Sequence, residues 1–186
     1  VDRSGSMTWR GMWVHVTRQL EKCLAALHPA GSFRVLAFNE AVSAHSTTLL
    51  PSVPTNHARA LAWLERLEVR AFADTIACDI HPLNNLSVLK ELRVNYGADD
   101  AGVRAWYHDW IRRGFDALEL QAAKRTPKAF LFGETPGLAE ITLIPQIYNA
   151  QRYDMNLSAY PALMAMAEKC LALPAFKKAV PVKPEA

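Results

Sequence analysis

Ile76-Ala77-Cys78-Asp79-Ile80-His81-Pro82-Leu83-Asn84-Asn85-Leu86 is the stretch on which the reading of the fold turns. It lies inside an apolar pattern that predicts one helix over 70–95, with Pro82 in its interior. An interior proline removes a backbone hydrogen bond and bends the helix. Downstream the helical reading continues. Asp99 or Asp100 is placed to cap a helix whose stripe is Val103, Trp106, Tyr107, Trp110, Ile111, Phe115 and Leu118. That stripe is a wide core-facing surface. Residues 138–150 are apolar almost all round, through Leu138, Ile141, Leu143, Ile144 and Ile147, which predicts a buried central helix. A further helix is expected from Tyr160 to Leu171, and the prolines at 181 and 184 predict a flexible tail over 181–186.

Upstream of Val69 the pattern is different. Met12, Trp13, Val16, Leu20, Cys23, Leu24 and Leu27 recur at three- and four-residue steps, so residues 9–27 predict a helix that Pro29 and Gly31 stop. Phe33 to Phe38 predicts a mostly apolar strand, covered on both faces. Thr47 to Leu50 predicts a weaker strand, closed by Pro51 and Pro54, and Asn56 is placed to cap a helix reaching Leu67. This order is the start of an α/β layer. The fold class expected is therefore α+β overall: a small partial α/β segment over 1–68, an all-α bundle over 69–180, and the tail. The change of character falls inside continuous helical pattern, with no Gly/Ser hinge.

The 186 residues carry a formal net charge of +3, and about half are apolar. Neither nucleic acid nor a membrane surface is expected as a partner, since no basic run tracks a phosphate backbone and no apolar stretch approaches bilayer length. The opening Val1-Asp2 carries no signal peptide, and the missing initiator Met suggests a cut in a longer parent. A cytoplasmic location is expected. Cys23, Cys78 and Cys170 have neither metal spacing nor an even disulfide count, so reduced and buried thiols are expected.

Two constellations carry chemistry. Asp2-Arg3-Ser4-Gly5-Ser6 places a carboxylate and two hydroxyls alternately on a tight loop, a set of hard oxygen donors suited to Mg²⁺. With the helix after it, Phe33–Asn39 and the Leu50-Pro51…Asn56…Trp63-Leu64 stretch, it resembles the metal-ion-dependent adhesion site of von Willebrand A domains. That resemblance makes Asp2, Ser4 and Ser6 metal ligands. The family's further Thr and Asp find no counterpart where the chain changes character, so the site is expected to be incomplete.

The second constellation runs through 76–86, Gly133-Glu134-Thr135-Pro136-Gly137-Leu138-Ala139-Glu140, Ile144 to Arg152, Leu157 to Pro161, and Cys170 to Phe176. In this order these segments resemble the C-terminal domain of zeta-class glutathione transferases, the group of maleylacetoacetate and maleylpyruvate isomerases. The resemblance implies that His81 and Asn85 face glutathione and that Arg152 faces a substrate carboxylate, for which a guanidinium fork is suited. Ser87 stands where some relatives carry a second Arg. Read from the residues alone, His81 equally satisfies a carbonyl freed by Pro82, and Arg152 equally serves as a surface or capping residue. The resemblance also implies a homodimer through the helical domain.

No Ser-Ser-Cys loop to lower a thiol pKa is found in the chain. The expectation is therefore a chimeric or designed fusion without a complete active site or competent catalysis, in which glutathione is not held tightly. Two alternatives stand beside it: a glutathione-dependent zeta-class isomerase with residual glutathione or dicarboxylate binding, and a divalent-metal-dependent binding module.

Overall fold

Pro54 sets where the longest element of the front half begins. A proline at the first helical position lacks only an N–H that would have no partner there, and its fixed φ suits the helix. In the computed structural model, which describes residues 12–38, 42–125 and 128–180, helix α2 accordingly spans Pro54–Asp74, behind helix α1 at Met12–Ala25. Asn56 is not the cap that the sequence predicts. Val53 holds that position, and Asn56 Nδ2 donates to the Pro51 carbonyl at 2.9 Å.

Between α1 and α2 the chain forms an interrupted antiparallel hairpin rather than the expected α/β layer. Strand β1 (Ser32–Phe33) pairs with β4 (Leu50–Pro51), and β2 (Leu36–Phe38) with β3 (Val42–Ala44). The register is Phe33 opposite Leu50 and then Leu36 opposite Ala44, so the second arm carries extra residues. His45 bridges the interruption: its N–H donates to Val35 O at 3.2 Å, and its Nδ1 accepts from Val35 N–H at 3.0 Å. The single strand expected over 33–38 is thus split in two.

The helix expected over 70–95 is also divided. After α2 come a π turn, Thr75–Ile80, and a 3₁₀ turn, His81–Asn84; α3 then spans Leu86–Tyr96. Pro82 cannot donate, and its ring would clash with the carbonyl four residues back, so the chain leaves α geometry there. Gly97, at φ +67°, ends α3 in the left-handed region that glycine adopts without strain. Helix α4 spans Asp100–Lys124, and Asp99 caps it by accepting from Gly102 N–H at 2.7 Å. Helices α5 (Leu138–Arg152), α6 (Pro161–Ala172) and α7 (Pro174–Ala179) complete the bundle. Ile141 is 60% exposed, so α5 has an outer face and is not the fully buried helix its composition predicts.

Helix α2 contributes to more than one core. Its first half packs Ala60 with Leu24, Phe33 and Val35 of the front segment, helped by Leu20 and Trp63, while Leu64 is covered by Val16, Leu20, Trp63, Leu67 and Ala71. Its second half sends Phe72 into the large bundle core, together with Ile76, Ile80, Ile111, Phe115, Leu118, Leu143 and Leu163. The junction expected near residue 69 falls within this helix. The 181–186 tail, and the loop carrying Asp2, Ser4 and Ser6, lie outside the described residues.

Candidate functional site

Two of the residues expected to face a ligand, His81 and Asn85, lie at the broken helix. His81 sits where the π turn passes into the 3₁₀ turn; its N–H donates to Ile76 O, five residues back. Its imidazole is exposed and makes no hydrogen bond or ion pair among the described residues. The 3₁₀ turn is pinned to α4: Trp106 Nε1 donates to Leu83 O at 2.8 Å, and the buried Asn84 donates through Nδ2 to Tyr107 O at 3.2 Å. Asn85 is extended, so although it lies four residues after His81 the two do not share an α-helical face. Its Oδ1 caps α3, accepting from Ser87 N–H at 2.9 Å and Val88 N–H at 3.1 Å, while Nδ2 donates to Pro82 O at 2.7 Å.

Arg152 ends α5. It is exposed, lies 5.9 Å from the Tyr148 ring centroid, and pairs with no carboxylate among the described residues. Its neighbour Tyr153 stacks on Tyr107, with centroids 3.7 Å apart. Burial, with a smaller contribution from Tyr153, pushes the Tyr107 phenol up to about 12, and the Arg152 charge works against that rise. Tyr107 therefore joins the two halves of the region. Its carbonyl holds the turn after His81, and its ring and phenol sense the end of α5. Pattern reading placed Tyr107 only in the core stripe of α4, because a stacking partner distant in sequence leaves no periodic signal.

A second polar cluster ties α1, α2 and the end of α4 together. Glu68 is 1% exposed and meets Arg125 Nη1 at 2.6 Å, while Thr17 Oγ1 donates to its other oxygen. Arg125 also donates through Nε to Leu131 O at 2.9 Å and lies 4.0 Å from the Phe132 ring centroid. Beside it a groove of about 500 Å³ runs between α1 and α2, lined by both signs of charge: Arg18, Glu21, Glu65, Glu68, Lys124 and Arg125. Glu140, also 1% exposed, accepts from Leu131 N–H and Gly137 N–H, both at 2.7 Å. Through these two bonds Glu140 ties the 128–137 loop to the start of α5.

Ser52 Oγ and His57 Nε2 are 3.0 Å apart, a pairing that in the open would suggest a nucleophile and base. Ser52 is only 6% exposed and its N–H serves the Gly31 carbonyl, so the pair closes the hairpin against α2. The thiols depart from expectation: Cys23 and Cys78 are exposed, and only Cys170 is buried. Among the described residues no cluster of three acidic, His or Cys side chains could hold a metal, and no helix is long and apolar enough to cross a membrane.

The family model described as glutathione S-transferase, C-terminal domain, matches residues 62–165. A maleylpyruvate isomerase from a Ralstonia species is 44% identical over 117 residues, covering 62% of this chain and 55% of the relative. The chain thus spans about half the length of the curated relatives it matches. A solved holo structure of maleylpyruvate isomerase, a bacterial zeta-class glutathione S-transferase, aligns with 29% identity and a TM-score of 0.62 over 99% of this chain and 96% of its own. A maleylacetoacetate isomerase from Anaeromyxobacter dehalogenans 2CP-1, solved with dicarboxyethyl glutathione and citrate bound, aligns with 28% identity and a TM-score of 0.56, covering 88% of this chain and 75% of its own. These matches overturn the expectation of a fusion without catalysis. They favour the zeta-class reading. The holo structure aligns over more of this chain than the helical domain alone, and nothing in the matches supports a von Willebrand A origin or a Mg²⁺ site for the front segment.

Proposed function

Because this chain belongs to the glutathione S-transferase C-terminal domain family, whose model accounts for residues 62–165, we propose that it works as a glutathione-dependent cis–trans isomerase of the zeta class on a small dicarboxylate. The observation that carries this reading is the turn pinned to α4 through Asn84 and the Tyr107 carbonyl, which presents the exposed His81 imidazole without a partner among the described residues. Arg152, whose charge reaches the Tyr107 phenol, is likewise exposed, and relatives at 42–44% identity are maleylpyruvate and probable maleylacetoacetate isomerases.

The side chains fit the ligands unequally. His81 has an uncommitted ring and is suited to hold a polar group of the tripeptide. Asn85 has spent its oxygen and one donor position on the α3 cap and the Pro82 carbonyl, which leaves its second Nδ2 proton for a ligand. Arg152 presents a guanidinium with no carboxylate partner among the described residues, the group that pairs bidentately with a dicarboxylate. When bound, glutathione would supply a thiol for reversible addition to the substrate double bond. Arg152 would hold a substrate carboxylate, and His81 and Asn85 would hold the tripeptide. The partner this reading carries is a second copy of the chain met through the helical domain.

The test is isomerisation of maleylacetone by the full chain, with and without glutathione. Turnover that requires glutathione is expected. Arg152→Met should raise KM for the dicarboxylate, and His81→Ala should raise KM for glutathione. A rate equal to that of buffer containing glutathione alone would remove the proposal. Sedimentation showing only monomer would remove the dimer.

A further inference from the structure

The π turn that delivers His81 is seated on a glycine. Buried positions along α2 and the turn recur every four residues: Leu64, Glu68, Phe72, Ile76 and Ile80. An α-helix turns about 100° per residue, so a strict four-residue stripe drifts about 40° at each step. A π turn carries more residues per turn and takes some of that drift back. Between Ile76 and Ile80 this lets Ile80 stay inside, fully buried, while Ala77, Cys78 and Asp79 remain outside.

The place where Ile80 goes is the backbone of α4 at Gly114. A Cβ built there would overlap Ile80 Cδ1 outright and lie 2.6 Å from Ile80 Cγ1, with Thr75 Cγ2 at 3.7 Å. Gly114 is itself buried, and its φ is not in the left-handed region, so conformational freedom does not explain a glycine in mid-helix. Closeness of approach does.

We propose that Gly114 is a positioning residue for the glutathione-facing turn: the slot it leaves for Ile80 keeps the π turn in register and so fixes where His81 stands. The link is direct, because His81 N–H makes a five-residue π bond to Ile76 O. Were the segment to relax to α geometry, that N–H would seek the carbonyl of Ala77, and the His81 side chain would swing by about 100° around the axis. The far end of the turn is held independently by Trp106 and Tyr107 on the same helix, so α4 grips the turn on both sides of His81. The expected loss of glutathione binding rests on the proposed function; the placement of His81 does not.

The experiment uses the full chain and two readouts, glutathione binding by calorimetry and the ring resonances of His81 by NMR. Gly114→Ala should shift the His81 resonances and weaken glutathione binding on the order of tenfold, the scale at which small displacements are felt in a site. Gly114→Ala/Ile80→Ala, in which each alanine makes room for the other, should recover most of both. Gly102→Ala serves as the control on the same helix, since its Cβ meets only the flexible Asp99 carboxylate at 3.2 Å and Ala98. The proposal is overturned if Gly114→Ala folds with the His81 resonances and the affinity unchanged, or if the double variant is no closer to wild type than Gly114→Ala. If Gly114→Ala does not fold, the double variant is set against Ile80→Ala alone. The proposal requires the double to be the more stable and the nearer to wild type at His81, and the reverse order overturns it. If the wild type binds no glutathione, the proposed function fails, and the His81 resonances still decide the role of Gly114.

Discussion

Replacing Arg125 by methionine should cost the protein much of its stability, although the residue lies on no core stripe. Arg125 Nη1 is 2.6 Å from Glu68 Oε2, and Glu68 is 1% exposed. At an effective dielectric of about 20, two unit charges at that separation attract by about 6 kcal/mol. Desolvation of both groups opposes that attraction, so the pair itself contributes little net stability. Removing one partner is different, because the remaining charge stays buried without compensation, at a cost of about 3–5 kcal/mol. Among the described residues Glu68 would retain only the Thr17 hydroxyl, and the Leu131 carbonyl and the Phe132 ring would lose their cation. Against a typical stability of about 5–15 kcal/mol this is a large fraction. For a chain of this size it corresponds to a fall in Tm of about 6–20 °C. Urea unfolding followed by circular dichroism measures it, together with Glu68→Gln/Arg125→Met, which removes both charges. The double variant should be more stable than Arg125→Met. A loss below about 1 kcal/mol in the single variant, or simple additivity in the double, would refute the reasoning.

Glu140→Ala leaves the N–H groups of Leu131 and Gly137 without their carboxylate, at a cost of about 1.5–3 kcal/mol for charge-assisted bonds; hydrogen exchange should show the amide of Leu131 losing protection first. A thiol reagent should modify Cys23 and Cys78 in the folded chain and Cys170 only after unfolding, because burial, aided by the Glu140 charge, pushes the Cys170 thiol up to about 11; fast labelling of all three would contradict the buried site. Asp79 lies on the outer side of the π turn, but partial desolvation of its carboxyl, and then the Asp74 charge, raise it above its ordinary range, so the fold favours its protonated form. That contribution is present below the ordinary Asp pKa of about 3.9 and is lost as pH rises through the raised value. Asp79→Asn should therefore raise Tm slightly at neutral pH, with the difference closing as the solution is acidified, and a constant difference across that range would count against it.

Much of the bundle is legible from local pattern. The stripe from Val103 to Leu118, the Asp99 cap and the helix beginning at Pro161 depend on neighbours three or four residues away, and these the chain states directly. The front hairpin is not legible in that way. Phe33 to Phe38 reads as one strand because every residue suits a pleated sheet, whereas the pairing is interrupted by a single side chain, His45, acting as a backbone partner from ten residues away. The D-x-S-x-S loop and an apolar strand suggested a borrowed α/β layer for the same reason: short motifs specify chemistry more readily than topology.

The same limit separates the site residues from what holds them. His81, Asn85 and Arg152 can be picked out by family motif, but their arrangement depends on contacts that no spacing encodes. A four-residue interval between His81 and Asn85 would place both on one face if the helix continued. Pro82 and the seating of Ile80 against Gly114 end that helix, leave Asn85 extended as a cap, and turn a presumed pair into two differently committed groups. Which residues can meet a ligand is thus decided on α4, at Gly114, Trp106 and Tyr107, none of which contributes an uncommitted polar side chain to the turn it positions. Substitutions that alter ligand affinity should accordingly concentrate on the inner face of α4 as much as around His81 itself.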